Sequence, residues 1–80
     1  MNVLIVEDEI HARTNLKKLL KSIQSDNQIV AEFDTVSSTV EWLKGNQPDL
    51  IFLDIHLADD LSFSIFEQIE VTSPLIIFLI

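Results

Sequence analysis

Residues 3–9 read VLIVEDE, and this stretch decides the class of fold. Its first four side chains form a continuous branched apolar run, which is typical of a strand buried on both faces of a sheet. The run ends abruptly in three acids. Apolar side chains then recur at helical spacing, so the sequence predicts a helix that begins near Glu9 and ends near residues 25–27. The side chains that carry this spacing are Ala12, Leu16, Leu19, Leu20 and Ile23.

The alternation of strand and helix continues through the remaining sequence. Residues 29–33 predict a second strand near a sheet edge, and residues 50–53 predict a third strand that is apolar throughout and ends in Asp54. A fourth strand is predicted over residues 75–80, after a break at Ser73-Pro74. Strands that alternate with helices pair in parallel through right-handed crossovers, with helices on both faces. The sequence therefore predicts a doubly wound, parallel α/β sheet.

Two further helices connect these strands. The second helix can be capped by Thr35 or Ser37 and is closed by Gly45-Asn46. The third helix follows a loop that contains Asp59-Asp60, and we expect these acids to cap it because they complement the positive end of a helix dipole. Its inward-facing side chains are predicted to be Ile65, Phe66 and Ile69.

The composition excludes several classes of protein. The 80 residues allow one small domain, and the 48% hydrophobic content excludes disorder. There is no cysteine, which excludes a disulfide scaffold and a cysteine–zinc site. Since 13 acids against 5 bases give a net charge of −8, we expect no binding to nucleic acid by this chain. The longest apolar stretch, residues 75–80, is too short to span a membrane, and we expect a cytoplasmic protein with no membrane partner.

Acidic side chains follow two of the predicted strands. Glu7 and Asp8 come after the first strand, and Asp54 comes after the third. Ligands bind at the carboxyl ends of the strands in open α/β sheets, and adjacent parallel strands would bring these three carboxylates together. Such an all-oxygen cluster suits Mg²⁺, beside which an Asp can act as a nucleophile towards a phosphoryl group. One acid at a strand end is usually a solvated loop residue, but two acidic strand ends together favour a site.

Two segments of the chain resemble a known family. Residues 3–9 with the helix that follows, together with PDLIFLDIHL at residues 48–57, resemble the receiver domain of bacterial two-component response regulators. Residues 57–66, LADDLSFSIF, are most similar to receivers that precede LytTR-type DNA-binding domains. The resemblance covers the whole chain in order. It implies a flavodoxin-like fold of four strands and three helices, in which residues 1–80 form the first two-thirds of the domain and the last strand and last two helices are missing.

The resemblance also implies a role for each acid. Asp54 matches the residue that accepts a phosphoryl group from a partner sensor histidine kinase. Asp8 matches the main Mg²⁺ ligand, and Glu7 matches its neighbour, which usually acts through a bound water. His56 matches the position whose backbone carbonyl completes the metal shell, so its imidazole need not take part.

The chain departs from the family pattern at three places. Residues 78–80 contain no hydroxyl, although receivers place Thr or Ser at the end of the fourth strand to bind the phosphoryl group. No lysine follows residue 44, although receivers use one after the fifth strand. Asp60 stands where the family has Gly. We therefore expect a Mg²⁺ site in which the conformational switch is absent or weakened.

Two alternatives to phosphotransfer remain open. The chain could be a truncated or degenerate receiver that acts as a phosphorylation-independent interaction or dimerisation module. Its apolar fourth strand, residues 75–80, would then join copies into a homo-oligomer, because such an edge is a template for pairing. The second alternative is a Mg²⁺-dependent phosphohydrolase of the haloacid dehalogenase type. Those enzymes have Asp-x-Asp after the first strand, where this chain has Glu7-Asp8-Glu9, so we do not expect an enzyme.

Overall fold

All four strands of the sheet run parallel, in the spatial order β2-β1-β3-β4. The computed structural model describes residues 1–23, 26–71 and 75–79 of the chain. Strands and helices alternate as the sequence predicts, and the predicted break at Ser73-Pro74 and the last residue, Ile80, lie outside the described residues. The elements are β1 (Asn2–Val6), α1 (Ile10–Ile23), β2 (Gln28–Phe33), α2 (Val36–Leu43), β3 (Leu50–Asp54), α3 (Ser64–Gln68) and β4 (Leu75–Leu79).

The first strand lies at the centre of the core. Residues 3–6 are 0% exposed, because helices cover both faces of the sheet there. Leu4 and Val6 pack in the cluster that α2 and α3 cover, whereas Val3 and Ile5 pack in the cluster on the side of α1. The continuous apolar run of the sequence is therefore explained by burial on both faces, as predicted.

The second strand lies at one edge of the sheet and is only half buried, as its amphipathic pattern predicts. Helix α1 is joined to this edge by Glu32, whose carboxylate lies 3.1 Å from Lys17 Nζ and 3.6 Å from Arg13 Nε. The Arg13 guanidinium also donates a hydrogen bond of 3.3 Å to the backbone oxygen of Glu7. Arg13 therefore connects α1 to the ends of β1 and β2 at once.

Helix α2 begins and ends close to the predicted residues. Thr35 is its N-cap, and its hydroxyl accepts a hydrogen bond of 3.1 Å from the Ser38 N–H. After the last helical residue, the Gly45 N–H and the Asn46 side chain both donate to the carbonyl of Trp42, at 3.2 and 2.8 Å. Gly45 closes the helix without the left-handed conformation that usually favours glycine there.

The capping predicted for the third helix is wrong. Asp59 does not reach α3 but binds the backbone at the start of α2, and Asp60 accepts a hydrogen bond from the N–H of its neighbour Leu61. The reason is that the loop after β3 folds back on itself before α3 begins. The helix itself has only five residues. The side chains predicted to face inward, those of Ile65, Phe66 and Ile69, do pack in the core, although Ile69 follows the last helical residue.

Candidate metal centre

Three acids meet at the carboxyl ends of β1 and β3. The two strands are neighbours in the sheet, and Val6 pairs in register with Leu53, so the residues that follow them are adjacent. One carboxylate oxygen from each of Glu7, Asp8 and Asp54 lies within 4.8 Å of the other two. The sheet topology therefore brings together side chains that are 46 and 47 positions apart in the sequence.

The three carboxylates differ in their exposure to solvent. Glu7 is buried and only 5% exposed, Asp54 is half-buried, and Asp8 is exposed. Burial raises the pKa of Glu7, and the neighbouring carboxylates of Asp54 and Asp8 raise it further, although the Glu9 N–H donated to Glu7 acts in the opposite direction. This site therefore holds more negative charge than its surroundings compensate.

Basic side chains do not balance these acids. Among the described residues, the ion pairs of Arg13 and Lys17 go to Glu32 on β2, and that of Lys44 goes to Glu41 on α2. Among the described contacts, the Arg13 guanidinium binds the backbone oxygen of Glu7 and not a carboxylate of the cluster. A cluster of carboxylate oxygens with uncompensated charge is the donor set that Mg²⁺ prefers, so these residues fit that ion.

The third acid of the VEDE sequence has a different task. The Glu9 carboxylate accepts a hydrogen bond of 2.6 Å from the Ala12 N–H in the first turn of α1, and its own N–H donates to Glu7 at 2.9 Å. The bonds that Glu9 accepts from the Ala12 and His11 N–H groups hold its pKa below the usual value. Glu9 thus caps the start of α1 and orients Glu7, whereas Asp8 belongs to the acid cluster.

A short hairpin follows Asp54. The Ser62 N–H donates to the Ile55 carbonyl at 2.8 Å, and His56 pairs with Leu61 in an antiparallel bridge. Neighbouring residues make the two hydrogen bonds of this bridge, so it does not use the carbonyl of His56. The imidazole of His56 is exposed, and its predicted backbone role stays a prediction.

Two concavities of the described surface lie away from the acid cluster. One of about 380 Å³ lies beside the residues that precede β3, between Lys44, Pro48 and Glu70. The other, of about 250 Å³, lies between the end of α1 and the start of β2, beside Lys21 and Asn27. Neither is lined by a residue of the acid cluster.

Comparison with known proteins identifies the family. Residues 3–80 match the family model described as the response regulator receiver domain. The chain belongs to this family. It is 45% identical to the sensory transduction protein LytT of Bacillus anthracis over 65 residues, which cover 81% of this chain and 26% of that protein. It is 38% identical to LytR of Streptococcus mutans over 81 residues, covering 98% of this chain and 33% of that protein.

A solved receiver structure has the same fold. The response regulatory domain of mrkE from Klebsiella pneumoniae superimposes with a TM-score of 0.85 at 32% identity, covering 98% of this chain and 65% of that one. The predicted flavodoxin-like fold and the family resemblance are therefore confirmed. The chain spans about a quarter to a third of the length of the curated relatives it matches. No helix among the described residues is long and apolar enough to cross a membrane.

The family defines a general role. Response regulator receiver domains act in two-component signalling, where they interact with sensor histidine kinases. Members of the family usually bind Mg²⁺, and the acid cluster of this chain has the oxygen ligands that such an ion requires.

Proposed function

We propose that this receiver accepts a phosphoryl group on Asp54 from a sensor histidine kinase, with Mg²⁺ held by Asp8, Asp54 and Glu7. The observation that carries the proposal is the meeting of three carboxylates, from two adjacent strand ends, within 4.8 Å. The exposed Asp8 and half-buried Asp54 can bind an ion that arrives from solvent. Glu7 is buried, and it would bind the ion either directly or through a bound water.

Asp54 is the nucleophile of the proposed reaction. One of its carboxylate oxygens forms a bond to phosphorus while the bond between phosphorus and the imidazole nitrogen of the phosphohistidine breaks. The electron pair of that bond stays on the imidazole, which takes up a proton from solvent. When bound, Mg²⁺ supplies the positive charge that offsets repulsion between the carboxylate and the phosphoryl oxygens. The backbone carbonyl of His56, which its bridge to Leu61 does not use, supports a fourth ligand position.

Intact mass spectrometry tests this proposal. The protein is incubated with a small phosphoryl donor and Mg²⁺, beside an Asp54→Asn variant and a sample in which a chelator has removed the metal. We expect one added phosphoryl group in the unaltered chain and none in the other two. Asp49→Asn is the matched control. Asp49 precedes the same strand, β3, and so lies at the end of the strand opposite to Asp54, where its carboxylate accepts a hydrogen bond from the Asn2 N–H. No addition to a folded sample would contradict the proposal.

A second candidate is an interaction module that works without phosphorylation. It is favoured by the register of β3 and β4, in which Asp54 pairs with Leu79, because leucine offers no hydroxyl to a phosphoryl group. In the described sheet β4 is an outer strand, and an outer strand can pair with one from a second copy of the chain. Sedimentation of the unaltered chain and Asp54→Asn, with and without the phosphoryl donor, separates the two functions. A homo-oligomer that forms identically in all four samples would favour the module.

A further inference from the structure

The carboxylate of Asp59 binds the amino terminus of α2 with both of its oxygens. The Val36 N–H donates to Oδ1 at 2.7 Å, and the Ser37 N–H donates to Oδ2 at 3.1 Å. These partners are 23 and 22 positions away in the sequence. The contact is therefore a tertiary connection between the loop after β3 and the helix that precedes that strand.

This contact provides partners for N–H groups at the start of α2. A helix leaves its first four N–H groups without partners inside the helix. Here the Val36 and Ser37 N–H groups bind Asp59 and the Ser38 N–H binds the hydroxyl of Thr35, while the Thr39 N–H makes the first bond of the helical pattern, to the Thr35 carbonyl at 3.3 Å. Asp59 and Thr35 therefore divide the capping of one helix between a distant loop and the adjacent residue.

Further contacts hold the same loop in place. The Ala58 N–H donates to the Asp34 carbonyl at 3.1 Å, which adds a third hydrogen bond between the loop and the residues around the start of α2. Leu57 is 8% exposed and packs in the core cluster beneath α2 and α3. Residues 57–59, at the tip of the hairpin that follows Asp54, are thus fixed by one buried side chain and three hydrogen bonds.

The hairpin transmits this anchoring to the acid cluster. Its first residue, Ile55, directly follows Asp54 and is bonded to Ser62 on the returning arm. His56 lies between this bond and the tip, in the bridge with Leu61 that leaves its carbonyl unused. Because the arm is only two residues long between Asp54 and Leu57, a displaced tip would displace the His56 backbone as well.

We propose that Asp59 is a positioning residue for the metal centre: by binding the start of α2 it fixes the His56 backbone beside Asp54. The inference rests on the proposed Mg²⁺ site and adds a residue outside the acid cluster on which the affinity of that site depends. The backbone N–H groups of α2 stabilise the ionised carboxylate, so the contact is present at neutral pH. Residues behind the ligands of a metal site typically change its affinity by about 10-fold or more.

Calorimetric titration with Mg²⁺ tests the inference on four proteins: the unaltered chain, Asp59→Ala, Thr35→Ala and Asp60→Asn. Thr35→Ala is the matched control, because it removes a cap of the same helix without touching the hairpin. Asp60→Asn removes the same charge one residue away, where the carboxylate binds only a local N–H among its described contacts. We expect Asp59→Ala to bind Mg²⁺ about 10-fold more weakly and both controls to remain within about twofold of the unaltered chain.

Each other outcome has a definite meaning. Equal weakening by Asp59→Ala and Thr35→Ala would overturn the inference, since the loss would then come from the stability of α2. Unchanged affinity in Asp59→Ala would also overturn it while leaving the proposed function intact. If the unaltered chain itself binds no Mg²⁺, the proposed function fails and takes the inference with it. Should Asp59→Ala fail to fold, Asp59→Asn keeps one acceptor oxygen and should show a smaller loss of affinity in the same direction.

Discussion

Carboxylate oxygens of Glu7 and Asp54 lie within 4.8 Å of each other across the ends of two adjacent parallel strands. Two ionised carboxylates at this distance repel each other, and a proton on one of them removes the repulsion. Burial of Glu7, together with the nearby charges of Asp54 and Asp8, raises its pKa in the direction that retains this proton. A proton and a divalent cation are thus two ways of relieving the same repulsion.

Mg²⁺ should raise the thermal stability of the protein. An ion that binds the folded state alone stabilises it by about 2.7 kcal/mol at 100 times its dissociation constant. For a chain of this size each kcal/mol raises the unfolding midpoint by about 4–8 °C. Circular dichroism melts over a series of MgCl₂ concentrations measure the effect, and Asp8→Asn and Asp54→Asn should each reduce it. If NaCl at the same ionic strength raised the unfolding midpoint by the same amount, the stabilisation would not come from specific binding of Mg²⁺.

Replacing Glu7 with Gln should change how stability depends on pH in metal-free buffer. The pKa of Glu7 is raised above its ordinary value of 4.5 in the folded protein. The stability that its proton confers is therefore fully present below 4.5 and is lost as the pH rises through the raised value. Glu7→Gln cannot ionise, so it should gain stability over the unaltered chain as the pH increases, by about 1.4 kcal/mol for each unit of the shift.

Urea unfolding at several pH values measures this difference. Glu9→Gln is the matched control, because the pKa of Glu9 is lowered rather than raised. Loss of the Glu9 carboxylate, which binds the Ala12 N–H, should destabilise the start of α1. A constant difference between the unaltered chain and Glu7→Gln at every pH would show that Glu7 ionises normally. Added Mg²⁺ should narrow the advantage of Glu7→Gln, because the ion offsets the same repulsion.

The fold and the meeting of the acids follow from patterns that sequence displays directly. Continuous apolar runs at residues 3–6 and 50–53 indicate strands buried on both faces. Acids that follow two neighbouring parallel strands must lie together at the carboxyl ends of those strands. The acid cluster could be predicted because it depends on topology alone. It does not require knowledge of how any loop is folded.

The role of Asp59 could not be predicted in the same way. Local rules assign an acid to the helix that follows it, which pointed to α3, whereas the actual partners lie 22 and 23 positions earlier in the chain. Whether a loop turns back towards an earlier helix depends on tertiary packing, here on the burial of Leu57. The sequence offered one signal: the Thr35 side chain can bind only some of the unpartnered N–H groups at the start of α2, so another acceptor was needed there.

Gly45→Ala should stabilise the protein. An added Cβ at Gly45 would meet no heavy atom within 4 Å, and the backbone there does not have the positive φ that requires glycine. Alanine restricts the unfolded chain more than glycine, so the expected gain is about 0.4–1 kcal/mol in urea unfolding. Asn46→Ala is the contrasting variant and should destabilise, because it removes the hydrogen bond to the Trp42 carbonyl. Destabilisation by Gly45→Ala would mean that Gly45 has a left-handed conformation in solution.

Asp59 and Glu7 should have opposite effects on stability as the pH falls. The N–H groups of Val36 and Ser37 hold the pKa of Asp59 below its ordinary value of 3.8. Its contribution is therefore present above 3.8 and is lost as the pH falls through the lowered value. Asp59→Asn should consequently be less stable than the unaltered chain near neutral pH, and the two urea midpoints should converge in acid. If the midpoints stayed equally far apart in acid, the ionised carboxylate would not be the group that stabilises α2.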